Sequence, residues 1–303
     1  MQRLFLVYNP RSSRFVDVEK EVINRLRRLK GYTIGKYEVK PTNLNDNITT
    51  FSKLLKDGDI VLSAGGDATG IIASNGILKS NKDATLAVLP YGNFNDLART
   101  LGTMKFDDLD FKGQASRGTL YPLEIHVDGK FYRYATCYVT IGMTAEACEL
   151  FDEPKFRKQM QKGHKSSWRS YIALVKWYFK NRHKREFIPE FKLNGKLQHK
   201  KTSDYAAVSG RSMCRVMKGG DDYLDPKKFR SMTDRLTNFW RLFKLMVVAI
   251  LVRTPGTETT GDILEFTKPA TVELQAEGEY QVFKNIKTIE IKKGTKCLKV
   301  IHS

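Results

Sequence analysis

From residue 3 to about residue 102, short apolar β-prone runs alternate with stretches of helical periodicity. This alternation constrains the fold more than any other feature of the chain. "RLFLVY" (3–8) is followed by "VDVEKEVINRLRRLK", in which Val18, Val22, Ile23, Leu26 and Leu29 share one helical face. "GKYEVK" reads as a second strand, "ITTFSKLLK" as a second helix, "DIVLS" as a third strand and "ATLAVLP" as a fourth, with a short helix around "NDLARTL". Strands that alternate with helices build an α/β domain, a mostly parallel sheet with helices on both faces. Ligand sites in such sheets lie beyond the carboxyl ends of the strands. "YNP", "SAGGD" and "PYGN" each fall just after a strand.

The texture changes after Gly118. "PLEIHVDGKFYRYATCYVTIG" places Asp128-Gly129 between two β-prone runs, a hairpin signal, and "FKLNGKLQH" repeats it with Asn194-Gly195. The tail, "TVELQAEGEYQVFKNIKTIEIKKGTKCLKVI", is also strand-rich. The expectation is a nucleotide-binding α/β domain over residues 1–118 and a mainly antiparallel, sandwich-like β domain over 119–303, with helices inserted at about 166–181 and 234–252. The last strands could return to the first domain. A length of 303 residues suits two domains.

Cys137, Cys148, Cys214 and Cys297 form no C-x-x-C pair, so neither a disulfide framework nor a zinc site is suggested and a reducing cytoplasm fits better. The five histidines show no metal spacing either. "MQRLFLVYNP" has too short an apolar run for a signal peptide, and "FWRLFKLMVVAILV" (239–252) is short of a span and carries Arg241 and Lys244. The net charge is +19, and residues 155–201 hold 15 Lys or Arg against Glu186 and Glu190. Such a patch attracts anionic bilayers or nucleic acid, or else forms a solvated face.

"SAGGDATGIIASNG" (63–76) carries the chemistry. Two glycines after a buried strand let the backbone turn sharply and bring N–H groups close to a ligand. A helix starting there adds its free N–H groups and positive dipole end, which suits phosphate. Asp67 would repel bare phosphate, so its presence fits a metal-bound nucleotide or a substrate hydroxyl arriving at the same place. An ordinary strand-to-helix turn is the plain alternative for this motif by itself.

The ordered set "VYNPRSS" (7–13), "PT" (41–42), "SAGGDATGIIASNG" and "LPYGNFNDLARTLG" (89–102) resembles the catalytic domain of the diacylglycerol kinase family, which includes sphingosine and ceramide kinases. The resemblance continues through "TIGMTAEA" (140–147), "SWRSYIALVKWYF", "KGGDDYLDP" (218–226) and "LQAEGEY", where the family has D-G-E. It implies nucleotide-binding positions at Asn9, Pro10, Arg11, Ser12, Ser13 and Thr42, at Gly65, Gly66, Asp67, Ala68, Thr69, Gly70, Ile71 and Ile72, and at Gly92, Asn93 and Asn95. It implies Asp96 and Arg99 at the cleft, and a catalytic set of Asp67, Asp96, Glu277 and Glu279, with ATP and Mg²⁺ as cofactors. A tail carboxylate would take the lipid hydroxyl's proton as the hydroxyl attacks the γ-phosphorus.

The chain departs from the family pattern inside the site. Ala68 replaces a glycine, Ile72 a glutamate, Asn93 a threonine and Glu277 an aspartate, and Arg14 stands where the first loop has glycine. Were position 68 to need a positive φ, alanine there would be strained by about 1 kcal/mol. Either tail glutamate could be the base, and no structural metal ligands are identifiable after Pro226.

The resemblance implies an ATP-dependent lipid kinase, with diacylglycerol as the leading substrate, or a degenerate member that binds nucleotide or lipid without turnover. An NAD kinase shares the G-G-D loop, but "NPRSS" and "GNFNDLAR" argue against it, and a nucleic-acid binder leaves the motif set unexplained. The expected partner is a lipid at an anionic membrane surface, met by a cytoplasmic, peripherally associated protein; a homodimer stays open. "SWRSYIALVKWYFKNRHKR" places Trp168, Tyr171, Ile172, Val175, Tyr178 and Phe179 on one face with basic residues around it. It reads either as an interfacial helix or as an amphipathic helix seated on the second domain.

Overall fold

The computed structural model describes residues 1–12, 14–102, 104–109, 117–152, 172, 175–180, 188–215, 217–235 and 238–302, with the side chains of 149–152 excepted. Strands β1 (Arg3–Tyr8), β2 (Thr33–Glu38), β3 (Ile60–Gly65) and β4 (Thr85–Pro90) run parallel. β5 (Arg117–Leu120) completes one edge of this sheet. Apolar residues on alternate sides of the strands cover both faces, as a parallel sheet requires. Leu4, Leu6, Ile60, Leu62 and Leu89 meet Val18, Val22 and Leu26 of the first helix. That helix runs as Phe15–Val18, a π turn Glu19–Ile23, and Asn24–Leu26. On the other face Phe5, Val7, Val61, Leu86 and Val88 meet the helices Leu44–Ser52 and Asp67–Ser80. These two helices cross so closely that a Cβ on Gly76 would run into the Phe51 ring.

The second part is antiparallel. Its strands are β6 (Leu123–Val127), β7 (Lys130–Ala135), β8 (Tyr138–Gly142), β9 (Phe191–Leu193), β10 (Lys196–Leu197) and β11 (Asp204–Val208). They are followed by the small hairpin β12 (Ser212–Met213) and β13 (Met217–Lys218), then β14 (Phe229–Asp234) and β15 (Thr257–Thr259). Two long strands, β16 (Gly261–Ala276) and β17 (Glu279–Lys293), precede the last, β18 (Leu298–Ile301). Ten of these strands form one sheet with the path β15-β14-β11-β8-β16-β17-β6-β7, to which the β9–β10 hairpin attaches at β16. Irregularities in the pairing of β16 between Glu265 and Val272 bend it, so that Ile125, Ile141, Phe229, Leu264 and Ile289 share one core.

Three two-residue turns carry positive φ at both positions, the type I′ pattern that matches strand twist. They are Asp128-Gly129 (47°, 74°), Asn194-Gly195 (51°, 77°) and Glu277-Gly278 (54°, 90°). The first two are the hairpins expected from the sequence. The third turns β16 into β17 and carries a site residue.

β18 lies in the first sheet, between β4 and β5 and parallel to β4. The helix Asp67–Ser80 is buried from Thr69 to Leu78 because Tyr134, Tyr138, Ala206 and Val208 of the second part close over it. The inserted helix Phe239–Leu251 begins at Asn238, whose side chain accepts from the N–H groups of Trp240 and Arg241. Residues 234 and before belong to β14 instead of this helix. Most of the helix expected at 166–181 lies outside the described residues; 172 and 175–180 are helical. No helix among the described residues is long and apolar enough to cross a membrane.

Candidate active site

The register of the parallel strands brings Tyr8, Ala64 and Gly65, and Pro90 to one edge. The loops that follow them therefore meet. Gly66 caps the helix Asp67–Ser80 with extended backbone and without a side-chain cap. It lies against Gly92 of the next loop: a Cβ on Gly66 would be 3.2 Å from the Gly92 Cα, and a Cβ on Gly92 would run into the Gly66 backbone. Contact between the two backbones excludes a side chain at Gly92 and leaves little room for one at Gly66.

Asp67 ties these loops together. Its Oδ1 accepts the N–H of Asp96 at 2.7 Å and its Oδ2 that of Asn95 at 3.1 Å. Asn95 sits in the left-handed region (φ 58°) and closes its own loop, Oδ1 accepting from Gly92 N at 2.8 Å and Nδ2 donating to Gly92 O at 2.7 Å. Asp96, 1% exposed, accepts from Ser212 Oγ (2.6 Å) and Arg215 N (2.8 Å) on one oxygen and from Tyr138 Oη (3.2 Å) on the other. Tyr138 in turn accepts from Gln275 Nε2 at 3.3 Å, and Gln275 Oε1 accepts from Thr140 Oγ1 at 2.6 Å. A continuous chain of hydrogen bonds thus runs from the glycine loop to the end of β16.

At that end Glu277, 5% exposed, occupies the first position of the turn. Its Oε1 accepts from Thr136 Oγ1 and Cys137 N, both at 2.5 Å. Burial pushes its pKa up to about 6, against the lowering effect of those hydrogen bonds. Asp67 is half-buried as a residue, but its carboxylate is held against the neighbouring loop, and loss of water raises its pKa to about 7. The charge of Asp96 and, more weakly, of Glu277 pushes the same way, while the two backbone N–H groups oppose it. Glu279, half-buried at the start of β17, makes its electrostatic mark on Tyr132.

Other residues singled out in the sequence are placed as follows. Asn9 shapes the first loop, its Oδ1 accepting from Arg11 N and its carbonyl from Ser12 N, with Pro10 inside that turn. The buried Ser12 Oγ has no hydrogen-bond partner, nor has Ser63 Oγ on β3. Ser13 lies outside the described residues. Thr42 is exposed just before the helix Leu44–Ser52, its Oγ1 accepting from Asn47. Thr69 packs over Gly65, and Gly70 faces Leu97. Ala68 is helical with no positive φ, so alanine is unstrained there and the conditional expectation of strain does not apply. Ile71 and Ile72 are 2% and 1% exposed in the core between the sheets, which leaves their side chains no path to a nucleotide. The Asn93 carbonyl accepts from Arg215 Nη1, and Arg99 Nε donates to Phe94 O. Arg14 reaches from the first loop to the Pro90 carbonyl.

Sequence reasoning missed Tyr138, Ser212, Arg215 and Gln275. Gln275 stands inside the quoted "LQAEGEY", and Tyr138 two residues before "TIGMTAEA"; Ser212 and Arg215 carried no signal.

Residues 3–124 match the family model for the diacylglycerol kinase catalytic domain. That stretch of the chain is similar to the family's catalytic domain. A diacylglycerol kinase of Bacillus subtilis (strain 168) is 30% identical over 137 residues, which are 44% of this chain and 44% of the relative. The match thus spans less than half of that relative's length. A solved structure of a diacylglycerol kinase from Bacillus anthracis str. Sterne superposes with a TM-score of 0.63 at 14% identity, covering 100% of this chain and 97% of the other. Another from the same organism gives 0.66 at 15% identity with the same coverage. At such identities these structures establish the shared fold.

The donors at this turn fit a nucleotide's phosphates. The helix N-terminus has no side-chain cap, two glycines keep Cβ atoms away, and the buried Ser12 hydroxyl is unpartnered at the same strand ends. Among the described residues no group of three or more His, Cys, Asp or Glu is placed to hold a metal ion by itself. Asp67 is the carboxylate next to the phosphate-suited turn, so a Mg²⁺ ion fits best as part of a metal–nucleotide complex.

Proposed function

We propose that the chain is an ATP-dependent lipid kinase that moves the γ-phosphoryl group of ATP to a lipid hydroxyl, with diacylglycerol, giving phosphatidate, as the substrate. The observation that carries this reading is the hydrogen-bond chain from Asp67 through Asp96 and Tyr138 to Gln275, two residues before Glu277, which joins distant stretches of chain to one glycine turn. In phosphoryl transfer the protein mainly positions the reactants and offsets charge. The N–H groups at the turn and the Ser12 hydroxyl would hold phosphate oxygens, and Mg²⁺ would neutralise charge on the transferring group. Asp96 already accepts three hydrogen bonds, which suits it to holding the loop. Glu277, with a pKa of about 6, is poised to accept the hydroxyl proton near neutral pH. Glu279 is the second reading for that role, favoured by the engagement of Glu277 Oε1 with Thr136 and Cys137.

A catalytically silent member that binds nucleotide or lipid is the other reading of the whole chain. Its support is Ile72, a core residue at the position where the family motif carries a glutamate. Incubation with labelled ATP and diacylglycerol in mixed micelles separates the two. Labelled phosphatidate is the expected product. Calorimetric ATP binding without any labelled lipid would favour the silent member, and, in a parallel incubation with NAD in place of the lipid, labelled NAD phosphate would overturn the lipid reading.

A further inference from the structure

The helix Phe239–Leu251 is apolar on both of its sides. Its inner side packs Leu242 and Leu245 with Met143 and Tyr178, and Ala249 is fully buried. Its outer side carries Trp240, Phe243, Val247 and Leu251, spaced three, four and four residues apart as one helical stripe. Trp240 is 73% exposed, Phe243 51% and Leu251 68%, with Val252 beyond the end at 73%. A helix with this composition is ordinarily covered on all sides, and an exposed contiguous apolar patch marks an interaction surface. The helix is a fixed element, capped by Asn238 at one end and held by Lys218 Nζ on the Leu251 carbonyl (3.1 Å) at the other. The stripe also continues onto the neighbouring helical segment, where Val175 and Phe179 are exposed and the Phe179 ring lies 5.1 Å from that of Phe239.

Charge decides between occupants. Residues 235–257 contain Arg235, Arg241, Lys244 and Arg253 and no acid; Arg241 pairs with Asp234 and Arg253 with Asp222, while Lys176 and Lys180 add exposed positive charge on the adjoining segment. A second copy of the chain would set cations against cations. An anionic bilayer accepts the apolar stripe and the flanking cations together, the usual pairing in interfacial helices. We infer that the outer side of Phe239–Leu251 inserts into the interfacial region of a membrane rich in anionic lipid. This inference rests on the lipid-kinase reading and gives that site its docking surface. The helix packs beside β13, and the β12–β13 hairpin supplies Ser212 and Arg215 to Asp96. The stripe and the candidate site are therefore one hairpin apart.

The test uses the full chain and vesicles of phosphatidylglycerol mixed with phosphatidylcholine. The variant Phe243→Glu/Leu251→Glu changes two exposed side chains outside the site. Its partitioning should fall by about tenfold or more, and wild-type binding should weaken with salt. Brominated acyl chains should quench the wild type more than Trp240→Phe. Circular dichroism and transfer to a short-chain, water-soluble diacylglycerol should be the same in the double variant as in the wild type. Partitioning equal to wild type would overturn the inference. So would sedimentation showing a wild-type dimer that the double variant converts to monomer. Vesicle binding that depends on the stripe, in a protein with no transferase activity, would keep this surface and remove the kinase reading.

Discussion

The Asp67 carboxylate accepts the backbone N–H of Asp96 at 2.7 Å, and the charge of Asp96 adds to the burial that raises the Asp67 pKa. The glycine loop and the "GNFNDLAR" loop are thereby one unit. The same carboxylate that would face a metal-bound nucleotide also keeps the second loop in place. Burial beside the charge of Asp96 makes an ionised Asp67 costly in the absence of a cation.

That cost has a sign that pH can read. Asp67 rises from an ordinary value of about 4 to about 7, so the native state holds its proton more tightly than the unfolded chain. Stability contributed by the neutral form is present at low pH and is lost as pH rises through about 7. Asp67→Asn should therefore gain melting temperature over wild type at about pH 8 more than at about pH 5. It should also abolish phosphoryl transfer. An equal difference at both pH values would mean that the carboxylate is not desolvated.

Gly92 touches Gly66 backbone to backbone. Gly92→Ala should force the two loops apart, lowering stability by about 1–3 kcal/mol. Its effect on ATP affinity, measured by calorimetry, should exceed its effect on the denaturation midpoint.

Tyr138 links Asp96 to Gln275 inside the protein. Tyr138→Phe removes the hydroxyl and strands a buried amide N–H, at a cost of about 1–3 kcal/mol. Denaturant titration reads this loss. The triple variant with Gln275→Leu and Thr140→Val should recover part of it, because the linked buried groups are then all apolar.

Ala68 lies in the first turn of a helix. Ala68→Gly, although it restores the residue seen in the family motif, should lower stability by about 0.5–1 kcal/mol. A stabilised variant would show that position 68 prefers a positive φ.

Glu277→Gln and Glu279→Gln separate the two candidate bases. Loss of the proton acceptor should cut turnover by about 100-fold or more with little change in ATP affinity. Glu277→Gln is expected to show it, and it should also lower the apparent pKa of Asp67 by removing a negative neighbour. If Glu279→Gln alone shows the loss, the turn residue is an anchor for Thr136 and Cys137.

The parallel sheet was legible because its first, third and fourth strands are short apolar runs that alternate with stretches of helical pattern. Asp128-Gly129 and Asn194-Gly195 announced their hairpins because those pairs favour positive φ at both positions. Glu277-Gly278 did not, since glutamate is a poor residue for a left-handed position. Burial and two hydrogen bonds to its carboxylate hold it there. Ile72 was grouped with the loop because it follows the glycines in sequence. One helical turn was enough to carry its side chain from the loop into the core.

Local order along the chain determined the strands, the glycine turn and the family motifs, because each depends on residues within a few positions of one another. Which acids share a site did not follow from that order. Gln275 reaches Tyr138 across 137 residues and Glu277 reaches Thr136 across 141, contacts made only when β16 pairs with β8 and the second sheet closes over the helix that begins at Asp67. Long-range strand pairing fixed the distances between charges, and those distances set the pKa values on which the proposed chemistry depends.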